Sequence, residues 1–296
     1  MFRPFVTLIF AVVCASLAPA RAVTIVTDIA PVRAIASEIA GDAGRVSALI
    51  DAAVSVHDAN LRPSDIRALK SADLILWMGA EVTPALAKVL SGGGITARVI
   101  DLSALPGVTR LPARETGDFA DDHDHDHAGG FDPHLWLDPA NARIWSVAIA
   151  EHLAELDPAR NDEFQAAQRS FARTLDTQMA RLKAAFAGFQ PRFLQFHDAF
   201  QYFETRMGLA PLGALTQEDE EQTSLGVVAR LRDIPADCVF LSSESQIGRA
   251  TNLLGGDAVR FIPLDALGRQ FGKDPFTYSA LIEALADGYL SCDAAR

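Results

Sequence analysis

The sequence predicts an α/β protein of two similar lobes, each a parallel sheet flanked by helices, joined by one long rigid helix. Three observations carry this expectation. Short apolar runs recur through both halves, and each is followed by a stretch with helical spacing, which is the pattern of parallel strands with crossover helices. Between the halves, a stretch over 159–189 keeps Phe164, Phe171, Leu175, Met179, Leu182 and Phe186 at steps of seven, four, four, three and four, which is one helical face. At 1.5 Å per residue such a helix spans roughly 45 Å, longer than most small domains are wide. Finally, 296 residues at 49% hydrophobic and 22% charged content suffice for two lobes, each with its own core.

Taken in order, Val23–Thr27 (VTIVT) is an apolar, β-branched strand, followed by a helix over 31–40 and a strand over 45–50. Ser64, after Pro63, is a good N-cap for a helix carrying Ile66 and Leu69. A buried strand over 73–78 (DLILWM), a helix over 84–90 ended by Gly92, Gly93 and Gly94, and a strand Arg98–Asp101 complete the first half. Residues 107–130 lack periodicity and read as loop. A helix over 141–156 is broken by Asp157-Pro158. The second half repeats the alternation, with strands at 192–196, 209–215, 238–242 and 259–263 and helices at 198–207, 225–231, Ile247–Leu254 and 278–289. Residues 217–222 form an acidic loop. The resulting division is a 23–156 lobe, a 157–189 connecting helix and a 190–296 lobe.

Residues 1–22 read as a secretory signal peptide, with Arg3 in a positive start, a short apolar run over 5–17 and a small-residue cleavage site at Ala20-Arg21-Ala22. A lipoprotein signal built on Cys14 fits poorly because valines precede it. Loss of Arg3 and Arg21 takes the net charge from −12 to −14. A charge of that sign disfavours nucleic acid and suits cations. Two cysteines then remain, Cys238 and Cys292. In an exported chain the pair reads as a disulfide, with thiolate metal ligation as the competing reading.

The chemistry gathers at histidines. His57 follows a strand, His134 stands in the compact stretch Asp132-Pro133-His134-Leu135-Trp136-Leu137-Asp138-Pro139, and His197 follows an apolar strand, as does Asp265. In open parallel sheets, ligands collect beyond the C-terminal ends of strands. Two of these side chains come from each half, so their site falls in the cleft between halves. Three imidazoles and a carboxylate suit tetrahedral Zn²⁺, whereas Mg²⁺ and Ca²⁺ want mostly oxygen ligands. A single histidine after a strand is more often a hydrogen-bonded structural residue, so the case rests on the set. His123, His125 and His127 alternate with aspartates within a 118–130 loop and read as an auxiliary, weak metal collector. His152, beside Glu151 on a surface helix, reads as structural.

The segments His57-Asp58-x-x-Leu61-Arg62-Pro63-Ser64-Asp65, His134-Leu135-Trp136-Leu137, Phe196-His197-Asp198-Ala199-Phe200-x-Tyr202-Phe203 and Leu264-Asp265-Ala266-Leu267-Gly268 together resemble the ZnuA-type family of metal-specific (cluster A-I) periplasmic binding proteins. The resemblance implies two α/β lobes joined by a long helix, with Zn²⁺ held between them by His57, His134 and His197. It also implies a Cys238–Cys292 disulfide and delivery of zinc to an ABC permease and its ATPase in the inner membrane. A periplasmic zinc chaperone is a further candidate partner, and a monomer is expected. Val56 stands where some members carry glutamate, so the fourth position falls to Asp265 or water. Manganese-binding relatives typically have glutamate where this chain has His197, which favours zinc. The alternatives are a manganese or iron carrier of the same fold, and a zinc hydrolase, for which no HExxH motif is present.

Overall fold

The computed structural model describes residues 21–50, 60–119, 130–217, 223–255, 259–272 and 275–293. His57, the collector histidines His123, His125 and His127, and most of the acidic 217–222 loop lie outside the described residues, as do residues 1–20 of the expected signal peptide.

The first sheet is four-stranded and parallel, in the order β2-β1-β3-β4, with β1 at Val23–Thr27, β2 at Gly44–Ala48, β3 at Leu74–Trp77 and β4 at Arg98–Asp101. Helix α1 (Ala30–Ala40) covers one face, while α2 (Pro63–Ser71) and α3 (Pro84–Ser91) contribute Leu69 and Leu86 to a cluster with Val26 and Ile75 on the other. Ser64 is not the cap of α2. That position is Arg62, because Pro63 is locked at the first helical turn and Asp65 Oδ2 reaches back to accept the Arg62 N–H at 2.7 Å.

The second sheet has the order β5-β7-β6-β8-β9, with β6 at Phe193–His197, β7 at Gly213–Thr216, β8 at Cys238–Leu241 and β9 at Arg260–Pro263. These four run parallel. The fifth strand, β5 (Gly117–Asp118), lies in the stretch expected to be loop, and pairs antiparallel with β7. Close approach makes this possible: a Cβ on Gly213 would stand 2.2 Å from the Gly117 carbonyl oxygen. The sequence around 112–119 therefore docks on the second sheet although it precedes the connecting helices. Helix α6 (Gln201–Met207) starts three residues later than its apolar pattern suggests, because the Asp198 N–H first bonds the Thr216 carbonyl of β7 at 3.0 Å. Helices α7 (Leu225–Arg232) and α8 (Ile247–Leu254) bury Val227, Leu231, Ala250 and Leu254 against Leu194, Phe196, Val239 and Leu241 on the outer face of this sheet.

The expected long helix is a short 3-10 turn, Pro158–Arg160, followed by α5, Asn161–Phe186, 26 residues and roughly 39 Å long. It does not stand free between lobes. It packs antiparallel to α4 (Pro139–Leu156) and also against α1 and α9 (Tyr278–Leu290), one from each lobe. Phe164, Phe171, Leu175, Leu182 and Phe186 share one core with Ile35 and Ile39 of α1, Trp145 and Ile149 of α4, and Tyr278, Ile282 and Tyr289 of α9. Met179 is only half-buried; Gln178 is the buried neighbour. The Cys238–Cys292 disulfide ties the start of β8 to the residues just past α9, which removes both thiols from any metal site.

Candidate metal site

Strand β6 is the centre of the second sheet, with neighbours running off in both directions of the strand order, so its C-terminal end is a topological switch point. His197 is its last residue. Side chains alternate across a strand. Leu194 and Phe196 enter the outer core and Phe193 packs in the inner one, so His197, in register with Phe193 and Gln195, faces the inner side. The imidazole is almost wholly buried.

His134 reaches the same place from another direction. Asp132-Pro133 makes a tight entry, and Leu135, Trp136 and Leu137 form a fully buried 3-10 turn that drives the adjacent ring inward. Asp138 then caps α4, accepting from the Ala140 N–H at 2.8 Å with Pro139 at the first turn.

The two rings meet edge to face, with centroids 5.1 Å apart and planes at 83°. Their Nε2 atoms stand 3.3 Å apart. Two nitrogens, each about 2.0–2.1 Å from one Zn²⁺ at the tetrahedral angle, are separated by about 3.3–3.4 Å. The pair is therefore spaced as two ligands of one tetrahedral cation. His134 Nδ1 is 2.8 Å from Asp132 Oδ1, and the same oxygen accepts the His134 backbone N–H at 2.9 Å. An Nδ1–H held by a carboxylate leaves the Nε2 lone pair for a metal. In the sequence this role of Asp132 is marked only by the Asp-x-His spacing inside an Asp-Pro turn.

Of the other sequence-predicted ligands, His57 lies outside the described residues, and Asp265 does not complete a ligand group with this pair. Among the described residues, no group of three or more His, Cys, Asp and Glu side chains stands in metal-binding geometry. Asp265 lies beyond β9, where Oδ1 accepts the N–H groups of Leu267 and Gly268 at 3.0 and 2.9 Å and Oδ2 accepts that of Gln270 at 2.8 Å. Its turn is tethered to the His134 segment, since Trp136 Nε1 donates to the Ala266 carbonyl at 2.7 Å. His152 is on α4 with Nδ1 3.6 Å from Glu155 Oε2.

A pocket of about 450 Å³ is lined by Asp132, which holds the His134 ring, and by Asp198, which follows His197, together with Glu81, Arg114, Phe131 and Gln217. Arg114 sits at its wall. The guanidinium bonds Asp198 through both Nε and Nη2, and Nη2 also reaches Glu204 Oε2 at 2.8 Å. Glu204 in turn accepts from Gln195 Nε2 at 2.6 Å and the Tyr289 hydroxyl at 2.9 Å. Burial pushes the Asp198 and Glu204 carboxyls above the usual range, and Arg114 opposes that rise.

The ZnuA family, described as "Zinc-uptake complex component A periplasmic", matches residues 25–292. The chain belongs to the ZnuA family. A High-affinity zinc uptake system protein ZnuA of Yersinia pestis is 32% identical over 90% of each chain, and one of Paracoccus denitrificans is 29% identical over 99% of each. Among solved structures, a ZnuA crystal structure superposes with a TM-score of 0.73 at 24% identity, covering 93% of this chain and 100% of that one. The periplasmic zinc-binding protein TroA from Treponema pallidum gives 0.74 at 21%, covering 92% and 99%. The last two bear on the fold alone, and they share its two-lobed α/β architecture.

Proposed function

We propose that this ZnuA-family chain is the periplasmic solute-binding protein of a zinc ABC importer, capturing Zn²⁺ between its lobes through His57, His134 and His197, with Asp265 or water in the fourth position. It hands the ion to a membrane permease driven by its ATPase. The observation that supports His134 and His197 as ligands is the 3.3 Å separation of their Nε2 atoms, with Asp132 fixing the tautomer of the first. Nitrogen donors favour zinc over manganese, which takes carboxylate and water more readily. A component of an uptake complex is not a hydrolase, so the enzyme reading is set aside. Residues 1–22 direct export, His123, His125 and His127 collect metal weakly, a zinc chaperone is a candidate loading partner, and the protein acts as a monomer.

Zinc titration against a competing chelator tests the site, with wild type beside His57→Ala, His134→Ala, His197→Ala and Asp265→Ala. Each histidine variant is expected to lose the tight site. Retention of wild-type affinity in any of them would remove that residue from the set. Metal analysis of protein taken from the periplasm separates zinc from manganese and iron. Because imidazole binds metal only when deprotonated, affinity should fall as pH drops through about 7 to 6.

A further inference from the structure

The segment 197–206 does more than supply His197. Four of its side chains reach across to the chain that carries His134. Asp198 pairs with Arg114. The Tyr202 hydroxyl accepts the Leu111 N–H at 3.0 Å and donates to the Asp132 carbonyl at 2.8 Å. The Gln201 amide, in the orientation that satisfies its neighbours, donates to Asp132 Oδ2 at 2.9 Å and the Pro112 carbonyl at 3.2 Å. Arg206 grips Asp138 through two nitrogens, with Nε to Oδ1 at 2.9 Å.

Tyr202 is the centre of this set. The two strands of chain it joins already touch each other, through the Pro112–Phe131 bridge and the Asp132 N–H bonded to the Leu111 carbonyl at 2.8 Å. Its hydroxyl uses both its donor and its acceptor on backbone groups of that pair, in a site only 1% exposed. Asp132, whose carbonyl it holds, carries the carboxylate on His134 Nδ1. The chain thus runs Tyr202 to Asp132 to the His134 ring, while Tyr202 itself stands five residues after His197 on the same lobe. Farther along, Trp136 is held from the second lobe as well, its carbonyl accepting from the Tyr278 hydroxyl at 2.7 Å and its Nε1 donating to Ala266.

We propose that Tyr202 is the positioning residue that locks His134, on the chain leading into α4, onto His197 of the second lobe as one preformed two-histidine half-site. A cation then meets two imidazoles already at tetrahedral spacing, and the ordering cost of bringing those two together is met in folding rather than in binding. The inference rests on the ligand reading above.

Tyr202→Phe tests it, since the ring stays and the hydroxyl goes. Three measurements are made on the full mature chain: zinc affinity by chelator competition, thermal midpoint, and the His134 tautomer from long-range nitrogen spectra of the zinc-free protein. Trp145→Phe, which removes a buried donor to the Leu102 carbonyl in the first lobe, is the control for general destabilisation. Tyr202→Phe is expected to weaken zinc about ten-fold and to turn a single Nδ1–H tautomer of His134 into a mixture, while the control leaves both unchanged at a comparable loss of thermal midpoint. Should Tyr202→Phe not fold, Gln201→Ala removes the neighbouring contact and should shift both readouts in the same direction by less. Wild-type affinity and an unmixed tautomer in the Tyr202 variant, or equal weakening in the control, overturn the positioning role and leave the ligand reading standing. Wild-type affinity in His134→Ala and His197→Ala overturns the ligand reading itself, and this inference with it.

Discussion

Gln178, midway along α5, donates from one amide nitrogen to the Ser279 carbonyl at 2.8 Å and the Glu283 carboxylate at 2.9 Å, and its oxygen accepts from the Ser279 hydroxyl at 3.0 Å. Arg181, one turn on, also pairs with Glu283. On the other side of the same helix, Arg143 of α4 meets Asp176 at 3.1 Å. The first lobe also caps α9 directly, with Glu38 accepting the Tyr278 N–H at 2.8 Å. The helix between lobes is therefore bonded to both, within one continuous apolar core. Opening the lobes as rigid bodies would break that core. We expect small-angle scattering of the apo and zinc-bound forms to give radii of gyration within a few tenths of an ångström. A large contraction on zinc binding would contradict this and would mean that the lobes close as rigid bodies.

The carboxylate behind His134 gives a second expectation. Metal-ligating histidines usually donate their second nitrogen to an acceptor, and loss of that acceptor typically costs 10–100-fold in metal affinity. Asp132→Ala should weaken zinc by about that factor. Asp132→Asn keeps an acceptor but loses the charge, so it should weaken zinc less. Equal affinities in all three proteins, measured by chelator competition, would mean that the His134 ring is oriented by other groups.

These two cases mark what could be read from the residues and what could not. The face of α5 follows from apolar spacing because a buried stripe must repeat with the helical turn, yet that logic chose Met179 where the structure buries Gln178. Gln178 is inside because the backbone and carboxylate of α9 satisfy its amide, and no local pattern records a partner 101 residues away. Strand β1 is legible from its β-branched run. Strand β5 is not, since two residues carry no period and the pairing with β7 depends on the close approach at Gly213. At the site, His134 and His197 were marked by their places at element ends. The roles of Asp132, Tyr202 and Arg114 come from contacts between distant segments. His57 and the collector histidines remain proposals drawn from sequence.

The disulfide makes a separate claim on stability. Cys238 begins a central strand, Cys292 follows the last helix, and Arg260 of β9 donates to the carbonyls of Ser291 and Cys292 at the same corner. Closing a loop of about 55 residues restricts the unfolded chain, and removing such a bond from a secreted domain typically costs about 2–5 kcal/mol. The Cys238→Ser, Cys292→Ser double variant should lose stability in that range by urea denaturation. Zinc affinity should change by less than about three-fold, because neither sulfur is a ligand. A loss of the tight zinc site at a temperature where the variant is folded would tie the C-terminal corner to the metal.

Asp28 predicts a pH dependence that does not involve the metal site. Its carboxylate is completely buried at the end of β1, accepting the Ile29 N–H at 2.9 Å, the Met78 N–H at 2.7 Å and the Thr83 hydroxyl at 3.3 Å. Those donors favour the charged form, but desolvation outweighs them and raises the carboxyl to about 7. A carboxyl raised on folding holds a proton in the native state that the unfolded state has already lost. Between about pH 4 and pH 7 the native protein therefore binds more protons, and stability falls as pH rises through that window. A rise of about three pH units corresponds to at most about 4 kcal/mol for this group. Asp28→Asn cannot titrate, so the variant should gain stability relative to wild type as pH rises from 5 to 8. Urea denaturation of both zinc-free proteins across that range reads the difference directly. Parallel stability curves would mean that Asp28 is ionised throughout, with its three donors outweighing burial.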